Sequence, residues 1–123
     1  MIDLKNCTFI IPLRIESEDR MRNVITVLCY LLENFDTKVI VKEVDVESVF
    51  QEAVLPQIQE YLGDSLKKLV HVFERSEDPV FYRMKILNEM IDMVETPVIA
   101  NYDCDVLFKP ETYVESVDMI MEG

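Results

Sequence analysis

Two aspartates flank one cysteine at Asp103-Cys104-Asp105, directly after the apolar run Thr96-Pro97-Val98-Ile99-Ala100-Asn101-Tyr102. Carboxylates leaving a buried strand converge at a sheet edge, where their hard oxygens suit a divalent ion such as Mn²⁺ or Mg²⁺. Ten Asp in 123 residues give about one such triplet by chance, so the context carries the argument. Here a strand precedes the triplet, and Val106-Leu107-Phe108-Lys109-Pro110 opens a helix after it. The bland alternative is an acidic loop that keeps a strand end solvated. Other chemistry is poorly supplied. Cys7, Cys29 and Cys104 form neither a zinc pattern nor a disulfide framework, which suits reduced thiols. His71 is the only histidine and lies within Leu69-Val70-His71-Val72-Phe73, as an ordinary strand residue would. No His–Ser or His–Cys pairing points to a hydrolase triad. With only Gly63 and Gly123, there is no P-loop and no dinucleotide fingerprint.

The elements that must position this chemistry alternate along the chain. Thr8-Phe9-Ile10-Ile11-Pro12 is a continuous apolar run, the mark of a strand buried on both faces. Ser17 caps a helix with Glu18 and Asp19 in its first turn, and Met21, Val24, Ile25, Leu28, Leu31, Leu32 and Phe35 follow at helical spacing. A strand over 38–43 comes next. A second helix then runs to Gly63 and is kinked or split at Pro56. The third strand spans 69–74, and a third helix starts at Asp78-Pro79. The fourth strand spans 97–102, and Pro110 opens the last helix. This pattern predicts one α/β domain over residues 1–123: three layers, α/β/α, around a mainly parallel sheet. Ligands of such sheets bind beyond the carboxyl ends of the strands. That singles out Leu13-Arg14-Ile15-Glu16, Glu43-Val44-Asp45, Glu74-Arg75-Ser76-Glu77 and Asp103-Cys104-Asp105.

Charge narrows the partners. Against 24 acidic residues stand 12 basic ones, a net charge of −12, which argues against nucleic acid. An anionic substrate must therefore be met by local arginines or by a metal. No membrane span and no signal peptide are visible, and a cytoplasmic location is expected, or a peripheral one at the membrane in a full-length protein.

Three blocks resemble a family. Phe9-Ile10-Ile11-Pro12-Leu13-Arg14 is similar to the first strand and loop of GT-A fold glycosyltransferases, nearest the I-I-P-F-R segment of the β-1,4-galactosyltransferases and also like the family 2 sugar transferases. Phe81-Tyr82-Arg83-Met84-Lys85-Ile86-Leu87-Asn88 resembles their F-N-R-A-K-L-L-N run, and Asp103-Cys104-Asp105-Val106-Leu107 their D-V-D segment. The order is the family's, though Met90 stands where the family has a glycine. The resemblance implies a GT-A-like fold with strand order 3-2-1-4. It implies a site in which Pro12, Arg14, Phe81 and Arg83 line the nucleotide pocket. By the same resemblance Asp105 would bind the metal, Asp103 would contact ribose or the metal shell, and Glu43 to Asp45 would sit near the base. The implied ligand is a nucleotide-sugar donor, a UDP-sugar such as UDP-galactose or an N-acetylated relative. Transfer would be to a glycan acceptor, in polysaccharide or glycolipid synthesis.

The resemblance covers only the donor half of these enzymes. The acceptor site and the catalytic base are therefore expected to be absent from the chain, leaving it inactive alone. Its fourth strand would be an apolar edge that favours a homo-oligomer. Two other readings remain: a non-catalytic α/β interaction module with a solubilising acidic rim, and a haloacid-dehalogenase-like phosphatase with Asp103 as nucleophile.

Overall fold

The computed structural model describes residues 1–102 and 110–122. Four strands form one parallel sheet: β1 (Ile2–Leu13), β2 (Phe35–Asp45), β3 (Leu69–Arg75) and β4 (Val98–Asn101). Their order is β3-β2-β1-β4, as expected. The helices are α1 (Glu18–Asn34), α2 (Leu55–Leu62), α3 (Arg83–Ile91) and α4 (Pro110–Glu122). No helix among the described residues is long and apolar enough to cross a membrane.

Side-chain alternation along the central strands builds two cores. On β1, Cys7, Phe9, Ile11 and Leu13 face the larger one, together with Val39 and Val41 of β2. Val24, Val27, Leu28, Leu31 and Leu32 of α1, Ile58 of α2, and Tyr113 and Val117 of α4 close over it. The opposite face carries Ile10, Ile40 and Val44, covered by Ile86, Leu87 and Met90 of α3. Helices thus lie on both faces of a parallel sheet, the arrangement that continuous apolar strand runs require. Phe9, Phe35, Tyr102 and Tyr113 meet as an aromatic cluster in the larger core, with Phe35 and Tyr113 edge-to-face at 5.3 Å. Such pairs add about 0.5–1.5 kcal/mol beyond their buried area.

Three boundaries, the starts of β1, β2 and α3, differ from expectation; β2 begins at Phe35, which the helical spacing assigns to the preceding helix, rather than at Lys38. β1 begins at Ile2, well before Thr8, because its first half pairs with Phe35 and Asp36 and then shifts register between Asp3 and Thr8. The exposed Asp3, Lys5 and Asn6 hid this half from a search for apolar runs. Pro56 splits the second helical segment, as expected. It sits in the first turn of α2, and the turn before it (Phe50–Val54) widens into a π-helix whose closing N–H donor is Leu55, bonded to Phe50 O. Gly63 ends α2 with φ 55°, a left-handed backbone that a side chain would strain, and a 3₁₀ stretch (Gly63–Lys68) leads into β3.

The third difference bears on the site. Asp78-Pro79 does not start α3, which begins at Arg83. Asp78 Oδ1 accepts the Val80 N–H at 3.0 Å and closes a local turn, while Pro79 O accepts Arg14 Nη1 at 3.1 Å. These bonds hold the segment before α3 out of the helix and against the end of β1.

Candidate functional site

The cleft that gathers the predicted residues is built at the carboxyl end of β1. Its lining is Pro12, Arg14, Glu16, Arg20, Phe81 and Arg83, around about 250 Å³. Three segments meet there: the end of β1 with the turn into α1, the first turn of α1, and the start of α3. Each is fixed by local chemistry. Ser17 is the N-cap of α1, and its Oγ accepts the Arg20 N–H at 3.1 Å. On α3, Lys42 anchors the helix to the sheet. Its Nζ meets Glu89 Oε2 at 2.7 Å and Glu74 Oε1 at 3.4 Å, from a nearly buried position on β2. Burial alone would lower the Lys42 pKa, but these two carboxylates outweigh it and raise it.

Arg14 is not the surface partner of Glu16 or Glu18 that its sequence neighbours suggest. Its Nε donates to Val44 O at 2.8 Å and its Nη1 to Pro79 O, so it ties the end of β1 to the end of β2 and to the segment before α3. The guanidinium also lies over the Phe81 ring, 5.5 Å from the centroid. The ring and the cation therefore hold each other in place at the cleft wall, an attraction of about 0.5–1 kcal/mol at a half-exposed site. Arg83 reaches across from α3, with Nη2 3.4 Å from Asn101 Oδ1 on β4. Asn101 pairs with Ile10, and the Tyr102 N–H donates to Ile10 O at 3.1 Å, so the end of β4 lies beside β1 just before Pro12.

Four of the seven nucleotide-site residues expected from sequence (Pro12, Arg14, Phe81 and Arg83) thus line one cleft. Glu43 does not join them. It is fully buried, and its carboxylate is consumed by the protein itself. Oε1 accepts from Ser48 Oγ at 2.6 Å and from His71 Nε2 at 3.2 Å, and Oε2 accepts the Phe50 N–H at 3.1 Å. The His71 ring stacks on Phe50 at 4.4 Å. Burial pushes the Glu43 carboxyl up, yet the bonds from His71, Ser48 and Phe50 prevail and hold it below the usual carboxylate range. Strand parity foretold this. Glu43 shares its face with Val39 and Val41, which are both in the larger core.

Asp45 lies at the end of β2 and spends Oδ1 on the Val46 N–H at 2.7 Å. It does not line the cleft. Asp103 and Asp105, expected at the sugar nucleotide and the metal, fall outside the described residues. Among the described residues no three metal-ligating side chains gather. Cys7 of β1 is buried in the larger core, and burial raises its thiol to about 11, which makes it a poor nucleophile.

Sequence reasoning passed over Arg20, although a signal was present: a cation in the first turn of a helix opposes the helix dipole. A larger hollow of about 450 Å³ lies between α1 and α2, lined by Ile25, Cys29, Tyr30 and Tyr61 among others. Its lining holds no carboxyl end of a strand and no cation, so it lacks the chemistry of the cleft. The cleft combines three guanidinium groups, one carboxylate and one aromatic face in a polar pocket, and so suits a compact anion carrying a flat group. No protein-family model, no curated protein and no solved structure matches this chain.

Proposed function

We propose that the cleft is the donor site of a GT-A-like glycosyltransferase and binds a nucleoside-diphosphate sugar, UDP-linked, for transfer to a glycan acceptor. The observation that carries this reading is the convergence of Pro12, Arg14, Phe81 and Arg83 on one cleft at the carboxyl end of β1. These residues come from two sequence blocks far apart in the chain, and the resemblance assigned all four to the same ligand. The strand order β3-β2-β1-β4 adds support. It reverses direction between β1 and β4, and open parallel sheets bind ligands at such a switch point.

A sugar leaving its nucleotide transfers negative charge to the diphosphate oxygens. Arg83 and Arg14 supply charge-assisted donors to those oxygens, and Phe81 supplies a face for the base or ribose. At about 250 Å³ the cleft matches the nucleotide portion better than the whole donor, since pockets for drug-sized ligands run from about 300 Å³ upward. The sugar would then extend past the cleft toward the acceptor.

Asp105, with Asp103 beside it, would hold Mn²⁺ or Mg²⁺. Carboxylate oxygens are the donors these ions take, and diphosphate oxygens would complete the shell that two aspartates leave open. The bound ion would offset charge on the leaving diphosphate. Asp103 follows Tyr102 directly in sequence, and Tyr102 is bonded to β1 near Pro12.

Thermal melts with UDP, GDP and Mn²⁺, singly and together, test the reading through ligand linkage. A rise in Tm that needs both UDP and Mn²⁺ is expected. The absence of any shift with either nucleotide would refute it.

A further inference from the structure

We propose that Arg20 is the residue that reads the terminal phosphate of the ligand, and so makes the cleft select a diphosphate over a monophosphate. This rests on the donor-site reading above and adds a residue that the resemblance does not supply. Of the three guanidinium groups at the cleft, two are already engaged. Arg14 spends Nε and Nη1 on the backbone carbonyls of Val44 and Pro79 and lies over Phe81, which fixes it as part of the wall. Arg83 is drawn toward Asn101 of β4. The Arg20 guanidinium makes no hydrogen bond or ion pair among the described residues, yet it is half-buried and lines the cleft.

That isolation is unusual in a chain with 24 acidic and 12 basic residues. The nearest carboxylate in sequence, Asp19, is taken by Arg22. The carboxylate that lines the cleft, Glu16, is exposed and makes no ion pair among the described residues. Arg20 also stands in the first turn of α1, where the dipole disfavours a cation and favours an anion. A phosphate bridging the Arg20 side chain and this end of the helix would reverse both penalties. It would answer an unpaired planar fork that matches phosphate geometry, and it would place negative charge where the helix favours it.

The test is calorimetric, in Mn²⁺, with UDP, UMP and methyl diphosphate titrated into the parent protein, Arg20→Gln and Arg20→Lys. In Arg20→Gln the affinity for UDP and for methyl diphosphate should fall by roughly tenfold to a hundredfold, the range for one charge-assisted bond, while UMP affinity changes less than threefold. Arg20→Lys should recover part of the loss, because the charge returns without the fork. The melting temperature of Arg20→Gln without ligand should not fall, since the Arg20 side chain has no partner to lose among the described residues and the helix dipole disfavours its charge. Parental affinity of Arg20→Gln for methyl diphosphate, or an equal loss for UMP and UDP, would overturn the assignment. The donor-site reading fails separately: it falls if the parent binds methyl diphosphate, which carries the same charged groups, as tightly as UDP.

Discussion

Replacing Glu43 distinguishes a carboxylate that builds the fold from one that meets the ligand. Three donors converge on it in a fully buried position: Ser48 Oγ, His71 Nε2 and the Phe50 N–H. Glu43→Ala strands all three and opens a void beside Phe50. Breaking a buried charged network by removing one partner costs about 3–5 kcal/mol. In a chain of this length that is a fall in Tm of roughly 10–20 °C. Glu43→Gln is milder. Its amide oxygen still accepts the Phe50 N–H, and its NH₂ can donate to Ser48 Oγ and, once the imidazole takes its other tautomer, to His71 Nε2. Only the charge assistance is lost, about 1–2 kcal/mol.

Urea unfolding followed by circular dichroism measures both variants. The pH dependence has a definite sign, because the folded-state pKa of Glu43 is lowered. Its contribution is complete above the ordinary carboxylate pKa of about 4.3 and is lost as the pH falls through the lower folded value. The gap between parent and Glu43→Gln should therefore narrow on acidification below the carboxylate range. Well below its own Tm, Glu43→Gln should bind UDP as the parent does. A Glu43→Ala protein as stable as the parent would refute the reasoning. So would a Glu43→Gln protein that folds normally but no longer binds UDP.

Arg14→Ala should weaken two properties together. Loss of the bonds to Val44 O and Pro79 O and of the Phe81 contact should cost about 1–2 kcal/mol in denaturant unfolding, alongside a drop in UDP affinity. Unchanged stability would mean that Arg14 does not hold the segment before α3. Arg83→Ala should leave the fold intact and cost about 2–3 kcal/mol of UDP binding by calorimetry; parental affinity would make it a solvated helix residue. In Asp105→Asn the Mn²⁺-dependent gain in UDP affinity should vanish, and retained Mn²⁺ dependence would remove Asp105 from the site.

Much of the architecture was legible because burial on both faces forces apolar runs. Phe9-Ile10-Ile11 and Val39-Ile40-Val41 could not be other than central strands, and they lie in the middle of the sheet. Where a strand is half solvated the signal failed, as over Asp3 to Asn6. Tertiary bonds also overrode local preference. Pro79 is well suited to start a helix, but Arg14, distant in sequence, bonds its carbonyl and the helix waits for Arg83.

The cleft was legible in part, through Pro12, Arg14, Phe81 and Arg83, because strand ends and a helix start announce themselves in sequence. Glu43 was misplaced for the opposite reason. An acidic residue at a strand exit suggests solvent or ligand, and only its parity with Val39 and Val41 revealed the core. Lys42 was missed likewise. Its face is that of Ile40 and Val44, and two carboxylates from neighbouring elements, Glu74 and Glu89, make a buried lysine tolerable there.

Residue-resolved NMR during titration with UDP and diamagnetic Mg²⁺ tests the central claim most directly, since it reports where the nucleotide binds. The account predicts saturable shift changes centred on Arg14, Arg20, Phe81 and Arg83, with Glu43 and His71 little affected. Changes centred instead on Ile25, Cys29 and Tyr61 between α1 and α2, or no changes at millimolar UDP, would contradict it.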